Sequence, residues 1–162
     1  MNCPNGQFFL PMDELLEQIK SVAEPILEKN EAFLIDLKFS KIKNARKFIF
    51  YIDKDNYVTI EDCSVISRDL EKVLVEEHLL TESDQIEVSS PGVDRPLKFL
   101  RQYPKHRNKN FSVTMNIGGV IETREMILLD VQGETLIFDD HGEIKEIEFS
   151  NIVKAKTLIS FK

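Results

Sequence analysis

The spacing of apolar residues along this chain changes once, at Pro91-Gly92, and that change restricts the folds open to it. Upstream, stretches with helical spacing alternate with stretches of strand spacing. After Pro96 only short alternating runs remain, separated by tight turns. The first pattern calls for helices laid on a sheet, and the second for a sheet that covers its own apolar face. The 162 residues suffice for one ordinary domain or two small ones. The expected division is a loose N-terminus over 1–11, an α+β domain over 12–90, a linker over 91–97 and a β domain over 98–162.

In the first half, Met12, Leu15, Leu16, Ile19, Val22, Ala23, Ile26 and Leu27 recur at three- and four-residue steps, which predicts an amphipathic helix over 12–30. Pro25 has no N–H to give, so a kink or break is expected near Glu24. Asn30 suits the left-handed backbone that ends helices. Phe33, Ile35, Leu37 and Phe39 alternate with Asp36 and Lys38, predicting a strand over 32–39 with those four apolar residues on one face. The turn Lys43-Asn44-Ala45 leads to residues 47–53, apolar on both faces as a covered central strand would be. Thr59, with Asp62 three residues on, starts a helix in the manner of a capping box. That helix runs to about Glu77 and places Cys63, Ile66, Leu70, Val73 and Leu74 on one stripe. Residues 86–89 make a third strand. The order α-β-β-α-β predicts helices on one face of a three-stranded sheet.

The second half begins with a short helical piece over 97–103. Five strands are then expected, over 110–117, 120–131, 134–139, 143–149 and 153–161, with turns at Gly118-Gly119, Gln132-Gly133 and Asp140-His141-Gly142. Five short strands in about fifty residues suggest a small SH3-like or Sm-like barrel.

Net charge is −7, which argues against a protein that coats nucleic acid indiscriminately. Its distribution is uneven. Residues 1–96 carry 11 basic and 19 acidic side chains, and residues 97–162 carry 10 and 9. Arg95, Lys98, Arg101, Lys105, Arg107 and Lys109 fall in a 27-residue stretch without an acid, interleaved with Phe99, Tyr103 and Phe111. Basic and aromatic residues in this arrangement suit contact with RNA phosphates and bases, although charge runs are commonly just solvated faces. A second basic run, Lys38, Lys41, Lys43, Arg46 and Lys47, lies on the first predicted hairpin, where it could equally guard a sheet edge. Local patches on an acidic chain fit docking on one face of a polyanion.

No catalytic constellation emerges. The three histidines, His78, His106 and His141, stand apart and read as surface or helix-end residues. The acids from Asp53 to Asp62 fail calcium-loop spacing, since Val58 stands at the glycine position and Ser64 at the glutamate position. Ser89-Ser90-Pro91-Gly92 lacks the G-x-S-x-G pattern of a nucleophile elbow. Cys3 and Cys63 are too few for a disulfide framework or a zinc site, and no secretory leader or membrane span is read, so a reduced, cytoplasmic setting is expected. Asp94 could cap the short helix, with Arg95 held extended before Pro96.

Residues 87–97, Glu-Val-Ser-Ser-Pro-Gly-Val-Asp-Arg-Pro-Leu, resemble the segment that joins the two domains in the ribosome maturation factor RimP family. Phe50-Tyr51-Ile52-Asp53, Val58 to Cys63 and Ser150 to Ala155 resemble further family segments in the same order. Three positions depart from the family's usual glycines, at Asn30-Glu31, Asn108 and Met126. The resemblance implies an α+β domain followed by an SH3-like domain, with no catalysis, cofactor or metal. It implies binding to the free small (30S) ribosomal subunit during maturation, aiding ribosomal RNA folding and protein placement near the decoding region. A monomer with no membrane or small-molecule ligand is expected. Ser89, Ser90, Pro91, Gly92, Asp94, Arg95, Pro96 and Leu97 would orient the domains or touch the partner, and the six basic residues from Arg95 to Lys109 would touch phosphate. Two other readings are an Sm-like module acting on messenger or small RNA and a hydrolase working through Ser89 and Ser90.

Overall fold

The computed structural model describes residues 10–159, which form two compact units divided between Ser90 and Pro91. The expected loose stretch over 1–11 and Cys3 lie almost wholly outside the described residues.

In the first unit, α1 (Met12–Lys29) and α2 (Ile60–Glu76) pack on a sheet of β1 (Ala32–Ile42), β2 (Ala45–Lys54) and β3 (Gln85–Ser89), ordered β1-β2-β3. β2 is central, as its two-sided apolar pattern requires. It is antiparallel to β1 and parallel to β3, and the parallel pairing needs the crossover that α2 supplies. Leu15, Ile19, Ala23 and Leu27 of α1 are buried at four-residue steps, as are Ile66, Leu70 and Leu74 of α2. They meet Phe48, Phe50 and Ile52 of β2, each fully buried. Burying side chains of this size contributes roughly 1.5–3 kcal/mol apiece. The Thr59 hydroxyl accepts from the Asp62 N–H at 3.0 Å and the Asp62 carboxylate accepts from the Thr59 N–H at 2.9 Å, completing the expected capping box.

Three expectations for this unit need correction. Helix α1 runs unbroken through Pro25, because the apolar stripe on both sides of the proline holds it on the sheet. Asn30 is not left-handed; Glu31 is, with φ 60°, while the Asn30 side-chain amide donates to the Ile26 carbonyl at 2.8 Å. In β1 a bulge between Leu34 and Asp36 reverses the side-chain parity. Ala32, Leu34, Leu37 and Phe39 therefore join the helix-facing core, and Ile35, although buried, does not.

The second unit opens with two 3₁₀ turns, Leu100–Gln102 and Pro104–His106, where one short helical piece was expected. Five strands follow: β4 (Asn110–Ile117), β5 (Val120–Gln132), β6 (Thr135–Asp140), β7 (Glu143–Glu148) and β8 (Ile152–Thr157). Their order is β7-β6-β5-β4-β8, all antiparallel. Gly118 and Gly119, with φ 61° and 87°, make the β4–β5 turn of the kind whose twist matches a hairpin. The expected last strand stops at Thr157, where the alternation ends, and residues 160–162 lie outside the described residues. β7 and β8 stand at the two ends of the sheet, so hydrogen bonds do not close it into a ring among the described residues. Val113 and Met115 of β4, Met126 and Leu128 of β5, Leu136 and Phe138 of β6, Ile147 of β7 and Ala155 of β8 still share one core. The described helical pieces of this unit are three residues long, too short to cover that face, so the sheet curls over itself. The fold is thus α+β, with a β-rich C-terminal part.

At two of the three positions where the sequence departs from the expected glycines, the backbone is left-handed with other residues in place. Glu31 has φ 60° and Asn108 has φ 67°. The third, Met126, sits in the β5 core at 1% exposure, where a side chain fits without strain.

Candidate functional site

The basic segment from Leu97 to Lys109 is pinned to the second unit's sheet at both ends. At its start, the Leu97 N–H donates to the Ala155 carbonyl on β8 at 2.8 Å. At its end, the Asn108 N–H donates to the Leu128 carbonyl at 2.6 Å, and the Leu128 N–H donates to the Lys109 carbonyl at 3.1 Å. Between these anchors Tyr103 is fully buried, its ring stacked on Phe111 with centroids 5.8 Å apart and set edge-on to Phe149 at 5.9 Å. Burial pushes the Tyr103 phenol well above its ordinary range, so it stays neutral. His106 meets Phe111 edge-on at 6.2 Å. Two of the expected aromatics, Tyr103 and Phe111, therefore serve the core rather than an exposed stacking platform.

The local cap is Gln102, not Asp94. Gln102 is fully buried, and its side-chain oxygen accepts from the backbone N–H of Lys98 at 2.7 Å and of Phe99 at 2.8 Å. This fixes the turn that presents Lys98 and Arg101. Lys98, Arg101, Arg107 and Lys109 are exposed; Arg95 and Lys105 are half-buried. The Lys98 ammonium lies 5.4 Å from the centre of the Phe99 ring. Arg107 Nε stands 3.4 Å from Asp130 Oδ1. The Asp130 carboxyl is held below its ordinary range, chiefly by the Val131 N–H, then by Gln132 and Arg107. Lys98, Arg101, Lys105, Arg107 and Lys109 thus share one held segment, with Arg95 two residues before its first anchor and Arg107 also engaged by an acid of β5.

In the Ser89–Leu97 motif, Ser89 ends β3 opposite Tyr51, and its hydroxyl donates to the Ser90 carbonyl at 3.1 Å. Gly92 takes φ 75°, which explains glycine there. Asp94 and Pro96 are exposed, whereas Leu97 packs against the second unit's core.

An ion cluster that composition and spacing did not single out ties β5, β6 and β7 together. Asp140 is 7% exposed and lies 2.9 Å from His141 Nδ1, 2.9 Å from Arg124 Nη1 and 3.2 Å from Lys145 Nζ. The His141 contact, followed by Lys145 and Arg124, pulls the Asp140 carboxyl down to about 2. Its only advance signal was an acid two residues beyond Phe138, in step with the alternating apolar residues Leu136 and Phe138. Among the described residues, no helix is long and apolar enough to cross a membrane.

Residues 22–94 match the RimP N-terminal domain. The chain is also 30% identical over 161 residues to the ribosome maturation factor RimP of Cytophaga hutchinsonii, covering 90% of this chain and 96% of that one. This chain belongs to the RimP family. The relative named a ribosome maturation factor thus matches the second unit as well as the first, and RimP-family membership covers the basic segment along with the α+β unit.

Proposed function

We propose that the protein is a non-catalytic, cytoplasmic maturation factor of the small ribosomal subunit, binding the free or immature 30S particle as a monomer. The observation that carries this reading is the fixed basic segment. A buried tyrosine, a buried glutamine cap and anchors at both ends hold four exposed cations in place on an otherwise acidic chain. Holding the charges in advance lowers the ordering cost of docking. In this reading Arg95, Lys98, Arg101, Lys105, Arg107 and Lys109 touch ribosomal RNA phosphates. The Ser89–Leu97 motif sets domain orientation or joins the contact, and the acidic first unit faces a basic ribosomal protein near the decoding region. The second unit is read as an open relative of the SH3-like barrels, from its strand order and the 3₁₀ turn Phe149–Asn151 before the last strand.

Site-specific crosslinkers placed at positions 101, 107 and 109 provide the test. With purified small subunits they should capture ribosomal RNA, more weakly as salt rises. Capture from α1 but not from these three positions would overturn the assignment. Comparable affinity for a naked oligonucleotide would favour an RNA-binding module of messenger or small RNA instead.

A further inference from the structure

The hairpin between β1 and β2 offers a second cationic surface. β1 pairs with β2 out to Ile42 and Ala45, whereas β3 begins pairing with β2 only at Lys47. The end of the hairpin therefore extends past the third strand. Two of its five basic residues are committed. Arg46 donates twice to Asp84, at 2.9 and 2.7 Å, with its guanidinium 5.5 Å over Phe48, and Lys47 pairs with Glu87 at 3.1 Å. Burial raises the Asp84 carboxyl, but the Arg46 and Thr81 hydrogen bonds outweigh it and hold the acid ionised. These ties hold the β2 side of the hairpin immediately behind its turn. Lys38, Lys41 and Lys43 are exposed, and no ion pair engages them among the described residues. Between residues 37 and 52 there is no acid. Lys43 occupies the turn with φ 51°, a conformation that favours glycine or asparagine over a long side chain.

We propose that this hairpin is a second phosphate contact, gripping the RNA backbone from both faces of the edge strand β1, through Lys38 on one face and Lys41 on the other, with Lys43 at the turn. The inference rests on the small-subunit reading above and adds a contact on the other unit. Ammonium groups are compact point charges that suit phosphate oxygens and read no base sequence. The competing role for these lysines is to keep the edge strand β1 from pairing with another chain.

The test uses the full-length protein with Lys38→Gln, Lys41→Gln and Lys43→Gly combined, and Lys43→Gly alone. Binding to purified free small subunits and to protein-free small-subunit RNA is measured across a salt series. The triple variant should bind both roughly tenfold or more weakly, with the log–log salt slope shallower by about two to three. Lys43→Gly should melt at the same or a higher temperature yet bind more weakly, a combination that a purely structural lysine would not produce. Unchanged affinity and slope, with or without new self-association, overturns the proposal and leaves the edge-guarding role. Weakened subunit binding with unchanged RNA binding places the contact on protein and also overturns it. If the unaltered protein binds no subunit, the function proposed above fails and this contact fails with it.

Discussion

Single residues carry much of the candidate site's order. Gln102 is the clearest case, since one buried side-chain oxygen satisfies two backbone donors at the start of the basic turn. Gln102→Ala would leave both donors without that acceptor, costing about 1–3 kcal/mol. Denaturant titration should show that loss, accompanied by weaker subunit binding although no charge has changed. Glu31 illustrates the opposite situation. An L-residue in the left-handed region costs roughly 1–2 kcal/mol, part of which glycine returns through its greater unfolded freedom. Glu31→Gly should raise stability by about 0.5–1 kcal/mol, read as a higher denaturant midpoint with an unchanged slope.

At the scale of elements, much of the fold was legible in advance. Strand β4 and its Gly118-Gly119 turn, the central place of β2 and the Thr59 capping box all follow from local pattern, because each depends on residues close in sequence. The β1 bulge was not legible: Phe33, Ile35, Leu37 and Phe39 alternate cleanly, and only pairing with β2 reveals the extra residue. The continuity of α1 through Pro25 depends on packing that no local rule contains. The basic run that makes the candidate site was visible in the sequence, but the inward turn of Tyr103 and Phe111 was not, since aromatic residues suit a core and an RNA surface equally. Asp140 shows what tertiary contact adds. Its native carboxyl titrates at about 2, against about 3.9 in an unfolded chain. Its stabilising contribution is thus fully present above about pH 4 and is lost as pH falls through about 2. Melting curves between pH 5 and 2 should fall less steeply for Asp140→Asn than for the unaltered protein. Parallel curves would remove Asp140 from the acid response.

Across the whole molecule, an acidic unit of helices on a sheet is followed by a near-neutral unit of strands, and the main basic run begins where they join. The Ser89–Leu97 motif identified the family, and its geometry assigns different parts to it: Ser89 ends a strand of the first unit, while Leu97 is bound to β8 of the second. A net charge of −7 predicts weak binding to nucleic acid at large, so under the proposed function recognition would come from held cations meeting a shaped partner. Sedimentation of the purified protein through density gradients with immature free small subunits, and separately with translating ribosomes, tests this most directly. At low salt the protein should travel with the immature small subunits, leave them as salt rises, and not travel with translating ribosomes. No association with free small subunits at low salt, or equal association with translating ribosomes, would contradict the account.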